Sequence, residues 1–329
     1  MLFFYYLCKK FLNMINSVRN TVLSVINKNN YGYITPADFN LFAKQAQMEI
    51  YEEYYSSYNK TINAENARMS GTDYGDIKQP IAETLESFLV TDFLSNIGGN
   101  IFSVPTINTV GNNYYYILKI LCYLKLVTSG SNTSVVVNEL NDSNATFILD
   151  GIGTDYIVSN LNTGQVATVV SVTSATSMIL SKDIFLASSD NYKIFSPAVK
   201  EADKVSVGKI TMLNDSNLTQ PSEMYLSYTL EGENIKIYPK IVDTLGQVQA
   251  IYFRFPKDPK WTYINLGNGE PMFDQSQPDY QDFELPLEDE YKLAMKILQY
   301  CGISIREQEV TAYALGQEQH EQPTFSQQQ

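Results

Sequence analysis

The clearest pattern of apolar and polar positions lies in the stretch that follows Tyr31. Thr35 can cap a helix that begins at Pro36, and Asp38 falls in the first turn, where the helix dipole favours a carboxylate. Behind that start, apolar residues recur at helical spacing and predict one buried face: Phe39, Phe42, Ala43, Ala46, Ile50 and Tyr54. A second apolar stripe lies almost opposite: Leu41, Met48, Tyr51 and Tyr55.

A helix with one apolar stripe packs on a core, whereas a helix with two stripes is contacted on both sides. The pattern is compatible with the central helix of a monomeric bundle. It is equally compatible with a helix shared between its own domain and a neighbouring subunit. In the second interpretation, the subunit interface consists of Leu41, Met48, Tyr51 and Tyr55.

Apolar spacing predicts helices elsewhere near both chain ends. They cover residues 13–28, 80–94, 287–301 and 304–315, with Gly302 ending the penultimate one. In that helix we expect five inward side chains: Leu287, Tyr291, Ala294, Leu298 and Cys301. The polar stretch 59–75 predicts a loop.

The spacing of apolar residues is no longer helical in the middle of the chain, where short apolar runs alternate with turn residues. The run 114–127 favours a strand, and Glu231-Gly232-Glu233 between two apolar runs indicates a hairpin. Residues 209–213 have a mixed pattern. Further strands are expected at 135–137, 147–149, 156–158, 166–170, 177–180, 192–195 and 248–255.

The predicted class is α+β, with a helical bundle built from both chain ends, a central β-sheet or sandwich and an inserted small β-barrel-like module. The chain then divides into six regions. They are an N-terminal helical region (1–100), a β region (101–150), the inserted module (151–196), a second β region (197–272), C-terminal helices (273–315) and a flexible C-terminal arm (316–329).

Composition narrows the classes of function. Of the 329 residues, 44% are apolar, which is enough for a core, and the net charge is −13. An acidic chain lacks the basic face that binds nucleic acid through its phosphates. The 24 tyrosines suit wet contacts between subunits. The short apolar N-terminus is not typical of a signal peptide, and no run is long enough to span a membrane.

Catalytic and metal-binding motifs are weak or missing in the sequence. The only histidine is His320, near the C-terminus, so no histidine-based triad is expected. The three cysteines, Cys8, Cys122 and Cys301, are far apart, and we expect thiols instead of a disulfide framework or a zinc site. One acidic group could hold a hard cation but lacks the regular spacing of a calcium loop: Asp274, Asp279, Asp282, Glu284, Glu288, Asp289 and Glu290. We therefore expect no enzyme activity, no metal and no cofactor.

Trp261 is the only tryptophan, and it lies close to Pro256 and Pro259. It could form a platform for a sugar ring. A tryptophan among prolines is more typical of a packing anchor, which is the interpretation that we favour.

Several stretches resemble a virion structural protein of crAss-like tailed phages. The similarity is carried by Tyr31–Tyr54, Lys209–Ser222, Ile235–Pro239, Tyr252–Trp261, and Asp282–Pro286 continuing through Gly302–Glu307. It covers most of the chain outside residues 128–195, a stretch that looks like a β module inserted in many phage proteins. No catalytic role is attached to these motifs.

The resemblance implies a ring, or head-to-tail connector, of a short-tailed phage. Such proteins stack below the portal as twelve-fold rings and form a channel through which DNA passes without sequence-specific binding. The expected location is therefore the virion neck or tail, and the expected partners are other copies of the chain and the portal or a second ring. Two alternatives remain at this point: a tail component that binds a carbohydrate or receptor through the β module and Trp261, and a virion enzyme.

The last fourteen residues contain six glutamines and almost no apolar side chain. Such a segment cannot bury a core of its own. We expect it to be an arm that reaches the next protein in the stack, with Gln317 and Gln319 as hydrogen-bonding groups and Phe325 as the apolar anchor.

Overall fold

The computed structural model describes residues 14–26, 34–68, 79–265, 267 and 271–305. The helices are α1 (Met14–Ile26), α2 (Pro36–Arg68), α3 (Gln79–Glu86), α4 (Ile107–Val110), α5 (Val207–Asn214) and α6 (Glu290–Ile305), with a 3₁₀ turn at Leu287–Asp289. The strands are β1 (Leu89–Phe93), β2 (Asn96–Gly98), β3 (Ile101–Ser103), β4 (Tyr114–Tyr123), β5 (Leu126–Ser131), β6 (Ser134–Val136), β7 (Glu139–Asn141), β8 (Ile157–Asn160), β9 (Gln165–Val172), β10 (Ser177–Leu180), β11 (Asn191–Phe195), β12 (Val199–Lys204), β13 (Leu226–Glu231), β14 (Asn234–Tyr238), β15 (Val248–Arg254), β16 (Tyr263–Asn265) and β17 (Pro271–Phe273). The α+β class is confirmed.

Two compact units divide the chain. The helical unit contains the described residues up to Phe88 and those from Pro256 onward, so both ends of the chain build it. The β unit contains Leu89–Phe255. The two ends are tied together at the start of α1, where the backbone N–H groups of Met14 and Ile15 donate to the Asp282 carboxylate at 2.9 and 2.8 Å. A carboxylate at this position satisfies the free N–H groups of the first turn.

Helix α2 begins as the sequence predicts. The Thr35 hydroxyl accepts a hydrogen bond from the backbone N–H of Asp38 at 3.1 Å, which is the geometry of an N-cap. The end of the helix was predicted too early, because α2 continues to Arg68 through most of the expected loop 59–75. Good helix formers such as Ala64, Glu65 and Ala67 extend the helix where composition alone suggests a loop.

An eight-stranded sheet forms the larger part of the β unit, in the order β1-β15-β4-β12-β13-β14-β3-β2. The two outermost strands, β1 and β2, are consecutive in the chain and are separated only by Leu94 and Ser95. Such a short connection requires the sheet to curl until its two edges approach each other. Buried side chains of this sheet and of the loops beside it make one core: Leu94, Phe102, Val104, Ile117, Ile120, Cys122, Ala202, Leu226, Tyr228, Ile235, Ile237, Val242, Val248, Ala250 and Tyr252.

The second sheet has seven strands in the order β5-β11-β8-β9-β10-β7-β6. Its outermost strands, β5 and β6, are again consecutive and are separated by Asn132 and Thr133. The sheet has a core of its own, which includes Leu140, Phe147 and Tyr192. Because β5, β6 and β7 belong to it, the module extends over residues 126–195, whereas the predicted boundary at residue 151 divides it.

Three further expectations about single elements were wrong. The helix expected at 80–94 ends at Glu86, and Leu89–Phe93 pairs as a strand with β15. Residues 147–149 form a turn around the buried Phe147 instead of a strand. Helix α6 passes through Gly302 to Ile305, and two of its predicted inward residues, Leu287 and Tyr291, are exposed. The helix predicted at 304–315 lies almost entirely outside the described residues.

Removal of the module is expected to succeed only at the boundaries that the strand pairing gives. Deleting 152–195 should produce insoluble protein, because β5 would lose its partner β11 and β7 would lose its partner β10, which leaves the β6–β7 pair without the rest of the sheet. Deleting 126–195 with a short Gly/Ser bridge from Lys125 to Ser196 should leave the curled sheet folded. Its stability should fall by about 1–3 kcal/mol, because Tyr123 would lose its contacts with Ile157 and Phe195. Solubility and thermal unfolding of the two deletions test this, and a soluble 152–195 deletion would contradict it.

Candidate subunit interface

One face of α2 is the buried face that the sequence predicts. Four of its six residues are almost fully buried, Phe39, Ala43, Ala46 and Ile50, whereas Phe42 and Tyr54 are half-buried. Gln47 lies between them and is also buried. Its side-chain amide donates to the Lys257 carbonyl at 2.8 Å and accepts from the backbone N–H of Glu284 at 3.0 Å. This face therefore belongs to the core of the helical unit.

The opposite stripe of α2 divides into exposed and buried positions. Leu41 is 54% exposed, and Met48 and Tyr55 are half-buried. Tyr51, by contrast, is fully buried, and its ring meets the edge of Phe88 with 5.0 Å between the ring centroids. The expectation that Tyr51 contributes to a surface contact is therefore wrong: Phe88, which follows the end of α3, covers it within the same chain.

A polar cluster that the sequence analysis did not identify joins α2 to α6. The Lys296 ammonium group is almost fully buried and lies 3.1 Å from a Glu49 carboxylate oxygen and 2.8 Å from a Glu53 oxygen. Lys292 pairs with Glu53 at 2.6 Å, and the Tyr300 hydroxyl donates to Glu49. Two helices are thus linked by charged hydrogen bonds, which are stronger than neutral ones.

The pKa of Glu53 reflects two opposing effects. Burial raises it, but the hydrogen bonds and positive charges of Lys292 and Lys296 prevail, and the pKa lies below its usual range. The ionised form of Glu53 therefore contributes to folding. That contribution is present above the ordinary carboxyl pKa and is lost as the pH falls through the lowered value.

Next to this cluster, the Tyr54 hydroxyl donates to the Asp289 carboxylate, with 2.8 and 2.7 Å to its two oxygens. Asp289 is buried, and burial raises the pKa of its carboxyl group. Burial and the Asp289 charge both raise the pKa of Tyr54. Because Tyr54 belongs to α2 and Asp289 to the 3₁₀ turn before α6, this hydrogen bond attaches the turn to α2.

Trp261 is a packing anchor, as expected from its neighbours. It is almost fully buried, and the Arg19 guanidinium lies 3.8 Å from the centre of its ring. Its indole N–H donates to Asn16 at 3.1 Å. Tyr263 and Phe273 stack on it at 5.5 and 6.0 Å between centroids. A ring enclosed in this way cannot serve as a platform for sugar.

The acidic residues between 274 and 290 have separate partners. Asp282 caps α1, Glu284 accepts from the Lys257 backbone N–H at 2.7 Å, and Asp279 pairs with Lys260. Asp274 accepts from Ser276 and Gln277. In the described ranges of the chain, no group of three or more His, Cys, Asp or Glu is placed to hold a metal ion.

The two cysteines that the structure describes, Cys122 and Cys301, are free and buried. Burial raises the pKa of each thiol to about 12. At neutral pH both therefore remain protonated, and a protonated thiol is a poor nucleophile.

The predicted docking residues Gln317, Gln319 and Phe325 lie outside the described residues, so the arm hypothesis stays a prediction. Within the described part of the chain, no helix combines the length and the apolar character needed to cross a membrane. Comparison with known families and with curated proteins gives no significant match to this chain.

Proposed function

We propose that this chain is a structural protein that forms a ring in the neck or tail of a phage virion. In this role it joins the capsid to the tail below the portal, and DNA passes through its channel. The proposal includes the helical bundle built from both chain ends, a ring of about twelve copies, and no catalytic activity. The portal or a second ring is the partner that the C-terminal arm would reach.

The observation that carries the proposal is the outer stripe of α2. Leu41 is exposed, and Met48 and Tyr55 are half-buried, although the helix already packs its other face into the core. A contact with another protein along this stripe would cover Leu41 and the exposed parts of the other two side chains. The sequence resemblance, which includes Tyr31–Tyr54 and therefore the first part of α2, indicates what kind of assembly this contact would build.

Charge supports the same role. A net charge of −13 opposes tight binding of DNA phosphates. We therefore expect acidic or neutral polar side chains along the channel, because a basic lining would hold DNA and slow its passage. Trp261 is buried in the helical unit and offers no support for the alternative of a carbohydrate-binding tail component.

Charge substitutions in α2 test the interface. Leu41→Glu should leave the monomer folded, because Leu41 is exposed, but should block assembly by placing a charge in an apolar contact. Tyr51→Glu should instead unfold the helical unit, because Tyr51 is buried on Phe88. Electron microscopy and mass photometry of the wild type should show rings of about a dozen subunits. A monodisperse monomer, or rings that Leu41→Glu does not affect, would contradict the interface.

A further inference from the structure

The outer side of the start of α6 carries two apolar side chains at the surface. Leu287, in the 3₁₀ turn, is 42% exposed, and Tyr291, in the first turn of α6, is 45% exposed. They are four residues apart, a spacing that places two side chains on the same side of a helix. The sequence pattern predicts that both point inward, yet the described part of the chain leaves them partly exposed. We call the surface that they form the α6 face.

The α6 face lies beside the start of α1. The Ser17 hydroxyl donates to the carboxylate of Glu290, the residue that directly precedes Tyr291. Helix α1 begins three residues before Ser17, at Met14. One side-chain hydrogen bond and these short stretches of backbone put Met14 within about 20 Å of the α6 face. The chain therefore enters α1 close to this surface.

The residues that precede Met14 are long enough to reach the α6 face. These residues, 1–13, lie outside the described residues, and we call them the N-terminal segment. An extended chain covers about 3.3 Å per residue, so about six residues span the distance and the segment covers about twice as much. All of its side chains are apolar except those of Lys9, Lys10 and Asn13. Such a segment gains free energy when it covers an apolar surface instead of contacting water.

Charge favours the N-terminal segment as the occupant of the α6 face. Lys9 and Lys10 are its only charged side chains, so its side chains carry a net positive charge. The α6 face has acidic neighbours, because Glu288 is exposed and Glu290 is half-buried. The nearby Lys292 already pairs with a glutamate of α2 at 2.6 Å. Docking of the segment thus brings opposite charges together, which orients the contact more than it strengthens it.

Area separates a tethered segment from an independent partner. From their exposed fractions, Leu287 and Tyr291 together offer on the order of 200 Å² of surface. A stable contact between separate proteins needs about 800 Å² from each partner. A segment joined to the face by a few residues is held there at an effective concentration in the millimolar range, so a small contact suffices. The α6 face is therefore too small for a second protein but fits the chain's own segment.

We infer that the N-terminal segment docks on the α6 face of its own subunit. Its apolar side chains cover Leu287 and Tyr291, and Lys9 and Lys10 lie towards the carboxylates beside them. The contact adds a further connection between α1 and α6 at the place where the two chain ends meet. The inference goes beyond the proposed ring and does not depend on it.

Cys8 reports on this contact in the full-length protein, because it lies six residues before Met14. The other two thiols, Cys122 and Cys301, are buried and have pKa values of about 12, so they react poorly in the folded protein. The rate at which iodoacetamide alkylates Cys8 can be measured by mass spectrometry of its peptide. Docking should slow this reaction at least tenfold relative to the same protein unfolded in urea. Equal rates in both conditions would overturn the inference.

A double variant, Leu287→Gln with Tyr291→Gln, removes the apolar surface without changing the net charge. Its Cys8 should react at least tenfold faster than that of the wild type, and circular dichroism verifies that it is folded. Leu287→Gln alone should give a smaller increase, which keeps the test valid if the double variant unfolds. Met272→Gln is the matched control, since Met272 is 47% exposed in β17 of the same helical unit, and its Cys8 should react like the wild type. If folded variants of the α6 face keep Cys8 protected, the segment is covered elsewhere and the inference fails.

Joint refolding of two proteins distinguishes the subunit's own segment from that of a neighbouring copy. The double variant is refolded together with a Cys8→Ser protein, whose α6 face is intact. Docking within one subunit predicts that Cys8 of the double variant stays reactive in the mixture. Restored protection would place the segment on another copy and overturn the inference. None of these measurements depends on ring formation, so a negative result would leave the proposed function standing.

Discussion

Replacing Trp261 with alanine is expected to destabilise the helical unit by about 3–5 kcal/mol, the range for removing a large buried aromatic side chain. The substitution removes the stacking of Tyr263 and Phe273, the cation–π contact of Arg19 and the hydrogen bond to Asn16. It also leaves the buried Arg19 guanidinium without the ring on which it lies. Urea unfolding followed by far-UV circular dichroism, which reports the helices, gives the change in free energy.

Tyr263→Ala is the control for this prediction, because Tyr263 stacks on the same indole but is 41% exposed. Its cost should stay at about 1 kcal/mol, the usual effect of a partly exposed substitution. A Trp261→Ala protein as stable as the Tyr263→Ala protein would show that the indole is not the anchor of the unit. Trp261→Phe should recover part of the loss, since a phenyl ring can still stack but cannot donate to Asn16.

Lys296→Met is expected to cost about 2–4 kcal/mol at pH 7. The substitution keeps the volume of the side chain but removes the charge that holds Glu49 and Glu53 together. Breaking a fully buried ion pair costs about 3–5 kcal/mol, and the half-exposed glutamates regain some hydration, which reduces the loss. The exposed pair of Lys44 and Asp258 supplies a matched control, and Lys44→Met should cost less than about 1 kcal/mol.

The same substitution should change the response to acid. In the wild type the pKa of Glu53 lies below its usual range, so its stabilising ionisation persists until the pH falls well into the acid region. Without Lys296, burial raises the pKa of Glu53 with only Lys292 to oppose it, and the loss of stability should begin at a higher pH. Urea unfolding at several pH values between 7 and 3 measures this shift. Parallel pH profiles for both proteins would argue against the role of Lys296.

The sequence predicted the elements whose pattern is local. The cap at Thr35, the buried face of α2 and the hairpin of β13 and β14 each depend on neighbouring residues, and the structure confirms them. The α+β class follows because the spacing of apolar residues is helical near both chain ends and typical of strands between them. The packing role of Trp261 followed from the residues around it.

The errors arose where distant residues decide the structure. Leu89–Phe93 becomes a strand because β15, more than 150 residues later, pairs with it. Tyr51 is buried because Phe88 lies on it, and nothing near Tyr51 in the sequence reveals this contact. Lys296 gave one usable signal, since it lies among apolar residues on the inner side of α6. Its partners Glu49 and Glu53 could be identified only from the packing of two helices.

The division of the helical unit between the chain ends has a consequence for synthesis on the ribosome. Helices α1 and α2 are complete early, but α6 and Trp261, on which they pack, are translated after the whole β unit. At a rate of synthesis of about 5–20 residues per second, the partners of these helices are made on the order of ten seconds or more later. During that time the apolar faces of α1 and α2 stay uncovered. The module at 126–195 closes on strands from its own segment, so it can fold first. A chaperone that binds nascent chains would therefore meet α1 and α2 while their apolar faces are still uncovered.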